Sequence, residues 1–324
     1  MVIGVERIKL ALVDHMIWII ILGVSIFFCY TIPNFLTFRN FLFTLYVVSP
    51  LGLLVFGEAV CLLGGNMDLS LSENAGFTAM IVGVILVDWV TWLPGWTGII
   101  LMPLVGAGLG AVNGFFVGKV KINPFLVTLS TFLIFNWMTY YLRRGAIVRM
   151  PGALLIPGGG RIGGIFIAIP ILIGMAIFLY FILDHTRFGS HIRAIGGNSK
   201  AANMLGINVG NTHFWIFTIA GALAGGAGLL YTGYLKCIPS TIAEGDIFLA
   251  FAGAIIGGVS LQGGRGSAIG ALGGVILMGI IDAGCTMTAM DPALRGVLNG
   301  LILLAAILIN KTRASLRDRV LMPK

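Results

Sequence analysis

Long apolar stretches separated by short polar breaks make up most of this chain from residue 16 onward. A helix needs about 20 mainly apolar residues to cross the hydrocarbon core of a bilayer, so each stretch predicts a membrane-spanning helix. The pattern predicts ten spans, of which the third and the eighth are short: 16–32, 41–63, 75–91, 97–118, 124–142, 163–183, 212–235, 247–261, 266–285 and 293–310. Because ten is an even number, both termini are expected on one side of the membrane.

The composition places the chain in the same class. Hydrophobic residues make up 58% and charged residues 10% of the 324 residues, and the mean hydropathy is +1.03. Soluble proteins carry roughly a quarter charged residues, so composition alone indicates a membrane protein. No polar block of the size of a soluble domain interrupts the pattern, and we expect a single polytopic membrane domain over residues 1–324. The first apolar run ends in Pro33-Asn34-Phe35 without a small-residue cleavage site, which predicts a retained span.

The positive charge predicts an orientation. A formal charge of +8 would suggest nucleic acid as the partner of a soluble chain, but lysine and arginine gathered on the cytoplasmic side explain it more simply, and we expect no nucleic acid. With the N-terminus inside, 13 of these residues, among them Arg7 and Lys9, are cytoplasmic and 7 are outside. This bias favours cytoplasmic N- and C-termini. The loop from Arg143 to Arg161 is the exception, since it carries four arginines outside.

The densest polar stretch, TRFGSHIRAIGGNSKAANMLGIN at 186–208, lies between the sixth and seventh spans. Asn198 or Ser199 can cap a short helix over residues 200–205, and Gly206 suits the left-handed position after its end. Three apolar residues are available on one side of this helix, namely Ala201, Ala202 and Leu205. The helix therefore either docks into another protein or lies flat on the bilayer surface.

A glycine pattern predicts a repeat. The chain holds 47 glycines, and small residues let helices in membranes approach closely. GAVNGFFVG begins at Gly110 in the fourth span and GALGGVILMG begins at Gly270 in the ninth, and both start Gly-Ala-x-x-Gly. An offset of five spans makes the two copies cross in opposite directions, which is typical of transporters with inverted repeats. We therefore predict an all-α membrane protein of ten transmembrane helices with an inverted five-helix repeat.

Polar residues inside the spans are candidates for a solute path, because burying them in a bilayer is costly. These residues are Glu58, Asn113, Asn136, Asp282 and Asn299. Asparagine and glutamate side chains hydrogen-bond hydroxyl-rich solutes. They equally well pair with neighbouring helices as packing contacts, and the sequence leaves both interpretations open.

The segment LLGGNMDLSLSEN at 62–74 breaks the end of the second span. Its Gly-Gly pair ends one helix, and Asp68 or Ser70 can cap the next, with Glu73 placed to complete a capping box with Ser70. Such a broken helix is either a plain loop or part of a site or gate.

Enzyme chemistry finds no support in the sequence. The nearest approach to a nucleotide-binding loop, GFFVGKV at 114–120, has three residues between its glycines instead of four, and Val120 where a serine or threonine would hold magnesium. The cysteines are scattered and the histidines flank the spans, so we expect no catalytic residues, no metal site and no cofactor. Without a chain of intramembrane carboxylates and histidines for proton coupling, energy for pumping must come from a partner.

Three segments together resemble the permease family of bacterial ATP-binding-cassette (ABC) importers that take up ribose, xylose, galactose and similar solutes. They are GGNMDLSLSEN (64–74), the polar stretch at 186–208, and AGAIIGGVSLQGGRGSAIGALGGVILMGII (252–281). The resemblance implies a multi-pass protein of the bacterial cytoplasmic membrane with a fold similar to the vitamin B12-type importers. It implies as partners two cytoplasmic cassette ATPase subunits, an extracytoplasmic solute-binding protein, a second copy or a paralogous permease, and a small polar solute.

The resemblance also implies roles for particular residues. The cytoplasmic loop at 184–211 would be the element that couples to the ATPase, with matching positions at Gly197, Asn198, Ala201, Ala202 and Gly206. The candidates for the translocation path are Glu58, Asn66, Asp68, Asn113 and Asn136. The broken helix departs from the usual Gly-Gly-Ile-Asp-Leu-Ser-Val-Gly by one extra residue and by Ser72 in place of the last glycine, which favours an unusual solute. The alternative function is an ion- or proton-coupled secondary transporter or a channel that works without an ATPase.

Overall fold

Helices make up most of the described chain. The computed structural model describes residues 16–321, with side chains described over 16–313. The helices are α1 (Met16–Thr31), α2 (Phe38–Leu63), α3 (Leu71–Val84), α4 (Thr97–Gly118), α5 (Pro124–Leu142), α6 (Gly152–Gly159), α7 (Ala168–His185), α8 (Arg187–Met204), α9 (Val209–Leu235), α10 (Asp246–Ile256), α11 (Ala268–Met287) and α12 (Pro292–Leu321). Helix α3 continues into a π-helix at Ile85–Trp89, and an antiparallel pair of two-residue strands, β1 (Arg161–Ile162) and β2 (Ile165–Phe166), precedes α7.

Each of the ten predicted spans coincides with a helix. Eight of the described helices are long and apolar enough to cross a membrane. The other two helices that coincide with predicted spans, α1 and α10, are shorter, with 16 and 11 residues. At 1.5 Å per residue, α10 is about 17 Å long, or roughly half of the hydrocarbon thickness. The prediction of an all-α membrane protein is therefore confirmed.

Glycine turns shorten two of the predicted spans. The sixth span was expected to start at residue 163, but Gly163 and Gly164 have positive φ angles of 58° and 85° and form the turn between β1 and β2. Helix α7 consequently begins at Ala168. The eighth span was expected to reach residue 261, but α10 ends at Ile256, and Gly258 follows at a φ of 99°. Backbone geometry that favours glycine thus overrides apolar character at both places.

Capping side chains fix the starts of several helices. Asn123 accepts a hydrogen bond from the Phe125 amide at 2.9 Å, and Pro124 occupies the first position of α5. The other starts capped in this way are Thr37 before α2, Asn208 before α9 and Ser267 before α11. These short polar side chains satisfy amides that have no partner within the helix.

Helix α2 lies at the centre of the bundle and packs against α7, α9, α10 and α11. Of the most apolar part of α2, 89% is buried, whereas the same share is 28% for α5 and 6% for α12. The centre is therefore built around α2 and α9. Helices α5 and α12 lie at the periphery, where their apolar side chains remain exposed.

A glycine seam joins α4 to α9. A Cβ atom at Gly110 would lie only 2.2 Å from the carbonyl oxygen of Phe217, and one at Gly221 would lie 2.3 Å from that of Gly106. Every fourth residue on this face of α4 is a glycine: Gly106, Gly110, Gly114 and Gly118. Only glycine permits so close an approach of two helix backbones.

The loops gather at two ends of the bundle. At the end that carries α8, the Gly264 amide donates to the Leu63 carbonyl at 2.8 Å, which joins the loop after α2 to the loop after α10. At the opposite end, Ile147 and Ile238 exchange backbone hydrogen bonds and Arg143 pairs with Asp88.

Of the lysines and arginines predicted to lie inside, Arg7, Lys9 and Lys324 fall outside the described residues.

Candidate functional site

The polar segment contains the predicted short helix. Helix α8 is interrupted at Asn198, whose φ of −161° and ψ of 101° are not helical. The Asn198 Oδ1 atom accepts hydrogen bonds from the amides of Lys200 at 3.1 Å and Ala201 at 3.0 Å. Gly206 follows with a φ of 82°. The predicted cap and left-handed end are both confirmed, and we refer to residues 198–206 as the α8 tip.

The exposed side of the α8 tip differs from the prediction. Met204 and Leu205 are 88% and 81% exposed, and Ala201 is also exposed. Ala202 is only 2% exposed, so its side chain faces the body of the protein. The expectation that Ala202 is available for docking is therefore wrong. The available apolar side chains are those of Ala201, Met204 and Leu205.

Glycines connect the α8 tip to the bundle. A Cβ atom at Gly196 would lie 2.0 Å from the Leu63 carbonyl oxygen and 2.4 Å from the Gly264 amide nitrogen. Gly65 and Gly263, with φ angles of 75° and 86°, complete this junction. The three segments that carry the family resemblance therefore meet at a single point. Gly197 lies next to the junction with open space around its Cβ position.

A wide cleft lies beside the α8 tip. Its volume is about 1140 Å³, and its lining includes Asn66, His213 and three lysines, Lys119, Lys121 and Lys200. The Asn66 Nδ2 atom donates to the Gly64 carbonyl at 3.3 Å and lies 2.8 Å from His213 Nδ1. Asn66 thus ties the loop after α2 to the start of α9.

Two of the predicted path residues form one buried cluster. The Asp68 Oδ1 atom accepts hydrogen bonds from the Ser70 amide at 3.0 Å and the Ser70 hydroxyl at 2.6 Å, and the Asn113 amide donates to the same hydroxyl at 2.8 Å. Burial raises the pKa of Asp68 to about 6. The side chain of Ser70 makes no capping bond, so the predicted capping box with Glu73 is wrong.

Of the other two predicted path residues, Asn136 lies apart from this cluster and Glu58 lies beside Asp68. The Asn136 Nδ2 atom donates to Glu73 Oε2 at 2.9 Å, which links α5 to α3. Glu58 is fully buried in α2. The contacts of Asn113 and Asn136 agree with the packing interpretation that the sequence left open.

A second cavity opens at the end opposite to α8, between α2, α9, α10, α11 and α12. Its volume is about 490 Å³. Two residues of its lining, Asp282 and Asn299, are among the intramembrane polar candidates. The sequence did not point to the others with polar side chains, which include Asn40, Tyr231, Tyr234, Asp246 and Arg295. None of the five predicted path residues lines this cavity.

The acidic and basic side chains of this cavity contact other side chains of the same chain. Arg295 Nη1 lies 3.3 Å from Asp282 Oδ1, and Arg295 Nη2 donates to the Thr286 hydroxyl at 2.8 Å. The hydroxyl of Tyr231 donates to Asp246 Oδ2. In the described part of the chain, no group of three or more histidine, cysteine, aspartate or glutamate side chains could hold a metal ion.

Comparison with known proteins gives consistent matches over most of the chain. The family described as "Branched-chain amino acid transport system / permease component" matches residues 40–307. The ribose import permease protein RbsC of Bacillus subtilis is 32% identical over 288 residues, covering 87% of this chain and 88% of its own length. The L-arabinose transport system permease protein AraH of Escherichia coli is 28% identical over 293 residues, covering 89% and 88%. No solved structure matches the chain.

Proposed function

This chain belongs to the family of branched-chain amino acid transport system permease components, and on that premise we propose that it is the membrane permease subunit of an ABC importer. Its solute is a sugar or a related polar compound, as supported by the relatives named for ribose and arabinose. A separate cassette ATPase supplies the energy. The observation that carries the proposal is the capped α8 tip, whose apolar side chains are exposed and whose base is packed against the bundle through Gly196.

The α8 tip is the surface to which the ATPase binds. Met204 and Leu205 project from a helix that Asn198 caps, so the tip is preformed. Because Gly196 lies in backbone contact with both neighbouring loops, a push on the tip reaches the ends of α2 and α10 without a flexible linker. The α8 end is therefore cytoplasmic, and so are both termini of this multi-pass protein of the bacterial inner membrane.

An inverted five-helix repeat accounts for the helix packing. Helix α4 packs on α9, and their counterparts five spans away, α11 and α2, also pack together. Helix α3 packs on α5 and on α9, just as α10 packs on α12 and on α2. The breaks before α3 and α10, the two short spans, lie at opposite ends of the bundle. These correspondences support a repeat like that of the vitamin B12-type importers, with the path at the repeat interface.

The complete importer contains further subunits. Helices α5 and α12 carry rows of exposed apolar side chains, which suit contact with a second copy of this chain or a paralogous permease as well as with lipid. An extracytoplasmic solute-binding protein delivers the solute to the end opposite to α8. These partners follow from the family and complete the proposal.

Co-purification with a cassette ATPase tests this function. The chain and a cassette ATPase from the same organism are expressed together, and the complex is isolated from detergent through a tag on the ATPase. We expect wild-type chain to co-purify and Leu205→Asp to be lost, because the substitution places a charge on the exposed tip. The matched control is Leu36→Asp, since Leu36 is 70% exposed at the opposite end. Equal recovery of Leu205→Asp and wild type would contradict the assignment of the tip.

A further inference from the structure

We propose that five side chains at the end opposite to α8 form a binding surface for the phosphate of an anionic phospholipid. They are those of Trp89, Trp92, Trp96, Arg144 and Arg149, which we call the Trp–Arg patch. The tryptophans belong to the connection between α3 and α4, and the arginines belong to the loop after α5. With α8 on the cytoplasmic side, this end meets the outer leaflet. The inference concerns neither the solute nor the ATPase.

Two contacts hold these connections side by side. Asp88 pairs with Arg143 near the start of both segments. Gly95 packs against Pro151 near their ends, so closely that a Cβ atom at residue 95 would collide with the proline ring. The residues between these two contacts therefore lie next to each other across the two segments.

Two of the four arginines between residues 143 and 161 are available to a ligand. Arg143 is held by its ion pair, and the guanidinium of Arg161 lies 4.0 Å from the centre of the Phe166 ring. Arg144 and Arg149 are exposed and form no ion pair with any side chain of the described residues. These two arginines are part of the exception to the charge pattern that predicts the orientation.

The charge of the two segments favours an anion. Residues 88–96 contain one carboxylate and residues 143–151 contain three guanidinium groups, so two positive charges are left over. The planar fork of a guanidinium group binds phosphate or carboxylate through two hydrogen bonds at once. The neighbouring side chains decide whether the anion belongs to a lipid or to a protein.

The tryptophans beside the arginines favour a lipid. Trp89, Trp92 and Trp96 are 65%, 80% and 55% exposed. Indole rings are enriched at the level of the lipid headgroups, where both their apolar body and their N–H group are accommodated. Three exposed indoles so close together indicate that this connection lies in the headgroup layer and not in water.

Helix α4, which follows the tryptophans, indicates where the membrane surface lies. Its 22 residues give a length of about 33 Å, close to the hydrocarbon thickness of about 30 Å. A row of exposed apolar side chains runs along the helix from Trp96, with members four or eight residues apart: Ile100, Leu104, Val112 and Phe116. Lys119 and Lys121 follow at its other end. A tryptophan at one end and lysines at the other are typical of a helix that faces lipid, so Trp96 lies at the outer boundary of the hydrocarbon.

Quenching of tryptophan fluorescence by brominated lipids tests the Trp–Arg patch. The full-length chain is reconstituted in nanodiscs of phosphatidylcholine. A small, fixed fraction of the lipid is replaced by brominated phosphatidylglycerol or, in parallel, by brominated phosphatidylcholine. Because bromine quenches only nearby indoles, the contribution of Trp92 is the difference between wild type and Trp92→Phe.

We expect brominated phosphatidylglycerol to be enriched beside Trp92 by about fivefold over brominated phosphatidylcholine, which is the effect of one cationic contact at an anionic lipid surface. The variant with both Arg144→Gln and Arg149→Gln should show equal quenching by the two lipids. Arg39→Gln is the matched control and should keep the preference, because Arg39 is exposed at the same end but at the start of α2. The substituted side chains are exposed, so the variants should unfold in detergent at the wild-type temperature.

Several results would overturn this inference. They are equal quenching of Trp92 by the two lipids in the wild type, no quenching by either lipid, and an unchanged preference in the double variant. Loss of the preference in millimolar inorganic phosphate would assign the site to free phosphate and overturn it as well.

A protein ligand is the other outcome that the variants distinguish. If the double variant keeps the lipid preference but no longer binds the solute-binding protein, the patch is a protein-docking surface and the inference is wrong. If the double variant does not fold, Arg149→Gln alone takes its place, and an undiminished preference there contradicts the inference. The co-purification assay concerns the other end of the molecule, so its result is independent of this one.

Discussion

Replacing Gly196 with alanine should separate the α8 tip from the bundle. The added Cβ atom would lie 2.0 Å from the Leu63 carbonyl oxygen and 2.4 Å from the Gly264 amide nitrogen. These two atoms are themselves hydrogen-bonded at 2.8 Å, so the methyl group would enter between a donor and its acceptor. All the clashing atoms belong to backbone, and no side chain can rotate away to relieve the contact.

The magnitude follows from the overlap. Ordinary contact of a Cβ atom requires more than 3 Å, so the segments must move apart by about 1 Å, and overpacking of this kind costs about 1–3 kcal/mol. Loss of the hydrogen bond between Gly264 and Leu63 adds about 1 kcal/mol. We therefore expect Gly196→Ala to destabilise the protein by about 2–4 kcal/mol. Gly197→Ala is the matched control, because its Cβ would meet no atom within 4 Å.

Thermal unfolding in detergent measures the difference between the two variants. Gly196→Ala should unfold at a clearly lower temperature than wild type, and Gly197→Ala at the same temperature or slightly higher, since alanine favours helix. Equal unfolding temperatures for the two variants would refute the backbone contact at Gly196. They would also remove the rigid connection through which the tip is proposed to act.

Three further predictions concern the cap, the glycine seam and the buried carboxyl. Asn198→Ala should weaken the tip helix by about 1 kcal/mol and lower the ATP hydrolysis rate of the assembled complex, whereas Asn203→Ala, exposed on the same helix, should not. Gly110→Ala should lower the unfolding temperature, because its Cβ would lie 2.2 Å from a carbonyl oxygen of α9, while Gly108→Ala meets nothing within 4 Å and should not. Burial raises the pKa of Asp68 from 3.8 to about 6, so folding favours the protonated carboxyl. The stabilisation from this group is therefore present at low pH and is lost as the pH rises through 6. Asp68→Asn should flatten that part of a stability–pH profile measured in detergent.

The helices were predictable because apolar length is a local property of the sequence. The tip was also predictable, since Asn198 and Gly206 act on their own neighbouring backbone. The orientation of Ala202 was not, because the angle that the chain takes at Asn198 decides which side of the tip faces the bundle. The start of α7 was missed because Gly163 and Gly164 form a turn within an apolar stretch.

The polar sites show the same difference between features that the local sequence determines and features that depend on tertiary packing. The sequence marked Asp68 and Asn113 as polar groups in apolar surroundings, and both are buried in one cluster. It could not reveal that Tyr231, Asp246 and Arg295 share a cavity, because these residues come from three helices that only tertiary packing brings together. A local signal that could have pointed to Asp246 is the Gly245-Asp246 pair directly before the short eighth span.

Solute uptake by reconstituted liposomes tests most directly whether transport by this chain depends on a separate ATPase that binds the α8 tip. Vesicles contain the permease alone, or the permease with its ATPase and solute-binding protein, with ATP on the ATPase side and a radiolabelled sugar on the other. We predict accumulation against a gradient only in the complete, ATP-supplied system, and its loss with Leu205→Asp. Accumulation by the chain alone, driven by an ion gradient, would contradict this account.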